Sequence, residues 1–105
     1  MFERERLNLR LHDKVNNGDC ISVVELLDQG ADINDRDVAG DTPLMEAVCI
    51  GAPELVELLI RRGADLNAIS SQGKTILDLA LDSARKMKHS VGHQEVVLIL
   101  RKVSS

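Results

Sequence analysis

The chain has 105 residues, 44% of them hydrophobic and 29% charged, with a formal net charge of −4. That length allows one domain with a modest core. The balance excludes a disordered chain, and no apolar run approaches the ~20 residues that a membrane-spanning helix requires. Phe2 is the single aromatic residue, which removes the usual stacking platforms for single-stranded nucleic acid. Cys20 and Cys49 are too few for a disulfide framework and lack the C-x-x-C spacing of redox or zinc sites. Met1 is followed by Phe2-Glu3-Arg4-Glu5-Arg6 with no apolar signal segment, so a cytoplasmic protein with two reduced thiols is expected.

In chain order, the first predicted element is a helix around Leu7, Leu11 and Val15, whose i, i+4, i+8 spacing makes one apolar face. Phe2 and Leu9 project roughly opposite and form a candidate second surface. An apolar stretch containing Val23 and Leu26 then closes at the string GADIN, Gly30 to Asn34. Thr42 is a good N-cap, and Pro43 fits the first helical position, where its missing N–H costs nothing. Leu44, Ala47 and Val48 share one face of this helix until Gly51 stops it and Pro53-Glu54 restarts an antiparallel partner. Leu55, Val56, Leu58, Leu59 and Ile60 give the partner a broad apolar face. Arg61 and Arg62 suit its C-terminal dipole, and Gly63 supplies a left-handed cap. The connector ADLNAISSQG has turn chemistry, and a third copy starts at Thr75 and ends with GHQEVVLIL.

These elements repeat every 33 residues. Gly18 and Gly51, Val23 and Val56, Leu26 and Leu59, Gly30 and Gly63, Asp32 and Asp65, Asn34 and Asn67, Gly40 and Gly73, Thr42 and Thr75, and Leu44 and Leu77 are all spaced so. One helix pair cannot bury both of its sides, so about three copies must stack around a shared core.

The repeated residues resemble the ankyrin repeat, with the pattern D-x-x-G-x-T-P-L-H-x-A-A-x-x-G-H-x-x-x-V-x-x-L-L-x-x-G-A-D-x-N. Asp37, Gly40, Thr42, Pro43, Leu44, Ala47, Gly51, Val56, Leu59, Gly63, Ala64, Asp65 and Asn67 carry it centrally. Leu11, His12, Val15, Gly18, Val23, Leu26 and Gly30 carry it before, and Gly73, Thr75, Leu77, Ala80, Gly92 and His93 after. The resemblance implies an all-α solenoid of about three stacked helix-turn-helix units joined by β-turn fingers. It would be a single domain over residues 1–105: an N-terminal capping repeat 1–35, a central repeat 36–68 and a C-terminal capping repeat 69–105. Three departures stand out. Met45 replaces the histidine that in the family bonds the neighbouring loop, Lys14 replaces a small alanine, and Ile76 replaces the proline. The third copy also carries about eight extra residues near 83–91, read as extending its inner helix by about two turns.

No catalytic chemistry is expected. His89 and His93 are four apart, but Gly92 interrupts that helix and no third ligand is evident, so no metal site or cofactor is predicted. Cys49 lacks a histidine in a recognisable arrangement, and Asp32, Asp37 and Asp65 sit in turns whose amides want an acceptor. No phosphate-cradling glycine motif exists.

Charge is uneven along the chain. Residues 11–60 carry 11 acids and 2 bases, whereas residues 61–105 carry 4 acids and 8 bases. Such a polar rod would steer a basic partner to one end, or favour weak head-to-tail self-contact of a chain otherwise monomeric. Arg85, Lys86, Lys88, Arg101 and Lys102 form too small a basic cluster for nucleic acid.

The resemblance implies protein binding through the fingers and the inner-helix groove. Carried over by position, the central unit presents Arg36, Val38, Ala39 and Asp41 on the finger and Glu46, Cys49 and Ile50 along the groove. The third presents Ile69, Ser71, Gln72, Lys74, Asp82 and Ser83, with Arg85, Lys86 and Lys88 on a secondary surface. The expected function is stoichiometric binding of another protein. The alternatives are an immunity-protein-like inhibitor of a toxin or enzyme, and an adaptor that uses a second surface.

Overall fold

A computed structural model describes residues 2–104; Met1 and Ser105, the ends of the expected domain, lie outside the described residues. Among these, six helices and no strand are found: α1 (Glu3–Asn16), α2 (Cys20–Asp28), α3 (Pro43–Ile50), α4 (Pro53–Arg61), α5 (Ile76–Lys86) and α6 (Val91–Ser104). Most start at a side chain that satisfies first-turn amides. Asp19 accepts from the Ser22 N–H, Thr42 from Met45 and Thr75 from Asp78, and the Asp78 carboxylate returns a bond to the Thr75 N–H in a full capping box. Pro43 and Pro53 occupy first-turn positions of α3 and α4, as their sequence places predict.

The helices pair as α1–α2, α3–α4 and α5–α6. Helix α3 packs between α1 and α5 in one layer, while α4 contacts α2 and α6 in the other. The molecule is elongated, 42 × 27 × 24 Å. Its continuous core runs through Leu11, Val15, Val23, Leu44, Val48, Leu55, Val56, Leu59, Ala80, Val96 and Leu100. Leu7 of the predicted N-terminal face packs against this core, while Phe2 and Leu9 remain exposed. Each fully buried Leu or Val contributes roughly 1.5–3 kcal/mol relative to exposure, so stacking rather than helix propensity holds these 8- to 14-residue helices.

Between helix pairs the chain makes two fingers of one design. In the first, Gly40 N–H donates to Asp37 O (2.9 Å), and the Asp37 carboxylate accepts from Ala39 and Asp41 N–H, both at 2.9 Å. In the second, Gly73 N–H donates to Ser70 O (2.9 Å), and the Ser70 hydroxyl oxygen accepts from Gln72 and Lys74 N–H. Serine thus does 33 residues later what aspartate does first. Asp32 and Asp65 likewise accept from the amide two residues on, as predicted for turn aspartates.

Two expectations for the third copy are corrected. Helix α5 has 11 residues against 8 in α3, so the extra segment lengthens it by about one turn rather than two. The remainder, Met87 to Ser90, forms a tight turn closed by Ser90 N–H to Met87 O at 3.0 Å. Gly92 does not interrupt a helix; it lies in the first turn of α6, and Ser90 caps that helix by accepting from His93 N–H. Glycine is needed there for contact: a Cβ on Gly92 would stand 2.3 Å from the carbonyl oxygen of Gly51. Gly51 itself ends α3 at φ 72°, in the left-handed region.

Candidate functional site

The fingers and the inner layer of α1, α3 and α5 carry the predicted contact residues. Val38 is fully exposed at the first fingertip beside exposed Ala39, and Ile69 (45% exposed) lies at the base of the second. Ile50, 38% exposed, ends α3. Asp41 is half-buried between finger and helix; burial, reinforced by the charges of Asp37 and Glu46, pushes its carboxyl above the usual carboxylate range. Gln72 is exposed at the second fingertip.

Several predicted contact residues serve the fold instead. The Arg36 guanidinium donates to the carbonyls of Gly40 (2.9 Å) and Ile69 (2.8 Å), tying one finger to the next. The Ser71 hydroxyl donates to Ala39 O at 3.1 Å. These bonds link the fingers without the histidine that Met45 replaces, and Met45 itself is fully buried. Lys74 pairs with Asp82, whose carboxyl is held below its ordinary value by that ammonium; Arg85 approaches Asp82 at 3.8 Å. Arg85, Lys86 and Lys88 are exposed. Ser83 is half-buried beside the Cys49 thiol. Desolvation raises that thiol above its ordinary value, which leaves little nucleophilic thiolate at neutral pH. Cys20 and Cys49 are free.

Glu46 is a correction. Expected along the groove, it is only 7% exposed, because His12 of α1 captures it. His12 Nδ1 bonds Glu46 Oε1, and His12 Nε2 lies 3.0 Å from Asp35 Oδ2. Asn16 Nδ2 donates to the second Glu46 oxygen and to His12 O. With a carboxylate on each nitrogen the ring is an imidazolium: the Glu46 bond above all, then Asp35, lifts its pKa from 6.5 to about 9 against the desolvating effect of burial. One donor atom each from His12, Glu46 and Asp37 falls within 4.8 Å of the other two. Sequence reasoning misses this cluster: His12 enters it only as a repeat-pattern residue, and its partners lie 23 and 34 positions away.

His93 is buried, with both nitrogens committed to structure. Nε2–H donates to Cys49 O (2.9 Å) at the end of α3, and Nδ1 accepts from the Ser90 hydroxyl (2.6 Å). His89 is exposed.

Stacked helix pairs with projecting, cross-linked turns define a repeat protein that presents an extended surface. Residues 11–104 match the family described as ankyrin repeats in three copies. The chain belongs to the ankyrin repeat family, whose repeats are generic protein–protein interaction modules. It is 36% identical over 81 residues to an ankyrin repeat domain-containing protein, OPG015, of monkeypox virus, covering 77% of this chain and 17% of that one. It is 42% identical over 69 residues to human protein phosphatase 1 regulatory subunit 27, covering 66% and 45%. It is 33% identical over 90 residues to the ADP-ribosylation factor GTPase-activating protein AGD2 of Arabidopsis thaliana, covering 86% and 11%. The chain therefore spans less than half the length of each of these relatives. Among the described residues no helix is long and apolar enough to cross a membrane.

Proposed function

We propose that this chain binds one partner protein stoichiometrically and without turnover, through the two fingers and the groove beside α3. The observation that carries this reading is the pairing of exposed apolar side chains with neighbouring acids. Val38, Ile50 and Ile69 are solvent-facing at positions the core does not use, and on the first finger Asp37 and Asp41 flank Val38 and Ala39. An apolar patch rimmed by charge is the make-up of an interface. The raised Asp41 carboxyl gains from a cation, so the partner segment is basic, with a Lys or Arg seated against Asp37 and Asp41 and aliphatic surface over Val38 and Ile50. The units at 1–35, 36–68 and 69–105 serve as cap, binding repeat and cap.

A basic target occluded by this face would be inhibited, the immunity-protein-like form of the same reading. Regulation by stoichiometric binding is in keeping with a relative named as a phosphatase regulatory subunit. An adaptor would also use Phe2 and Leu9 or the basic Arg85, Lys86 and Lys88.

The test is affinity capture with the wild type and an Ile50→Glu, Asp41→Lys double variant, followed by titration of the captured protein. Far-UV circular dichroism checks that both chains fold. Affinity should fall at least tenfold in the variant, about 1.4 kcal/mol. Equal affinity would move the binding surface to α1 or the α5–α6 turn.

A further inference from the structure

We propose that His12, Glu46 and Asp37 form a binding site for a small divalent transition-metal cation of the Zn2+ class, with Asp35 as the outer carboxylate that orients the imidazole. The three donors come from three parts of the fold: α1, the first turn of α3 and the first finger. Their ligand atoms already lie within 4.8 Å of one another. Donors on one tetrahedral ion with bonds of about 2.0–2.2 Å stand about 3.3 Å apart, so side-chain rotations of about 1 Å close the set. One imidazole nitrogen and two carboxylate oxygens make a borderline donor set. It fits a transition-metal ion better than the all-oxygen shells of Ca2+.

The surroundings give each donor one free valence toward the others. Asp35 Oδ2 takes the Nε2 side of His12 at 3.0 Å, which leaves Nδ1 as the inward-facing nitrogen; this is the arrangement seen behind metal-bound histidines. Asn16 holds the outer oxygen of Glu46 and leaves Oε1 facing Nδ1. In Asp37, Oδ1 serves the finger amides of Ala39 and Asp41, so Oδ2 is available.

Charge points the same way. Asp35, Asp37, Asp41 and Glu46 surround one imidazole, and the neighbouring Arg36 spends its guanidinium on the carbonyls of Gly40 and Ile69. A cation that enters displaces the Nδ1 proton of His12 to solvent and adds one net positive charge to an acid-rich site. Asp37 is only half-buried, so an ion can reach the site from solvent on its side.

The experiment titrates the full, tag-free, metal-stripped chain with Zn2+ against a chromophoric chelator and follows histidine ring nitrogens by NMR. One equivalent should bind, with the His12 Nδ1 resonance shifting and His93 unmoved. Asp37→Asn keeps the Oδ1 acceptor of the finger and removes the anionic ligand, so it should fold normally and bind at least tenfold more weakly. Glu46→Gln should behave alike, and Asp35→Asn should cost about tenfold through loss of orientation. His89→Gln and Cys49→Ser, which remove surface donors, should change nothing. Should Glu46→Gln unfold, Asp37→Asn and the His12 resonances still decide the matter. The proposal is overturned if no stoichiometric Zn2+ binds, if binding follows His89 or Cys49 instead, or if the His12 ring is unmoved.

Discussion

At the residue scale the His12 contact governs how the metal-free protein responds to pH. Its imidazolium faces Glu46 and Asp35 directly, with Asp37 and Asp41 close by and Asn16 on the far oxygen of Glu46. The folded pKa, about 9, lies above the ordinary 6.5, so the contribution to stability is complete below about pH 6.5. It is lost as pH rises from there through about 9. The contribution is on the order of 3 kcal/mol, because the ring is nearly fully buried and holds its proton across that whole interval only when folded. Urea midpoints measured between pH 6 and 10 should fall across that window in the wild type. His12→Gln should be less stable at pH 6 and nearly flat thereafter. A wild type as flat as the variant would mean that folding leaves the pKa of the ring unshifted.

At the element scale the informative position is Gly92. Helix propensity alone says that alanine there should stabilise α6 by up to about 1 kcal/mol. The structure reverses the sign. The added Cβ would stand 2.3 Å from the Gly51 backbone oxygen, which cannot swing aside as a flexible side chain does. It would push α6 off the α3–α4 turn and strain the His93 bond to Cys49 O. Gly92→Ala should destabilise by about 1–3 kcal/mol in denaturant melts, the range of overpacking. The spacing of Gly18 and Gly51 makes the matching of Gly92 to Gly51 attractive, but the two glycines meet in space and do different work. The extra segment divides similarly. Arg85, Lys86 and Lys88 face solvent, whereas Ser90 caps α6 and bonds His93, so only its basic part is free for a second surface.

At the scale of the whole molecule, an elongated stack carries its acids and bases in different parts. The acid-rich residues 11–60 include α1 from Leu11 through most of α4, and the basic excess is spread over Arg61 and Arg62 at the end of α4, Lys74 before α5, Lys88 in the α5–α6 turn, and Arg101 and Lys102 in α6, while α5 itself is balanced. The resulting field should attract a basic partner toward the first finger. Its association rate should fall steeply between about 0.05 and 0.5 M salt, as the screening length drops from about 14 to 4 Å, while dissociation changes less. Stopped-flow or biosensor traces at several salt concentrations measure this. A salt-independent association rate would leave the apolar residues Val38, Ile50 and Ile69 as the basis of recognition.

The order of the amino acids is enough to read the repeat, the helix starts at Thr42, Thr75, Pro43 and Pro53, the turn aspartates, and the exposed positions Val38, Ile50 and Ile69. These are local matters, set by one residue's bonds to its near neighbours or by a 33-residue period that brings identical side chains to identical places. The remainder emerges when the units stack. Stacking withdraws Glu46 from the groove into a contact with His12, gives Arg36 and Ser71 to the finger links, commits His93 to Cys49, and presses Gly92 against Gly51. Each of these joins residues at least 32 positions apart across stacked units, and the repeat aligns backbones without dictating which side chain at each level finds a partner.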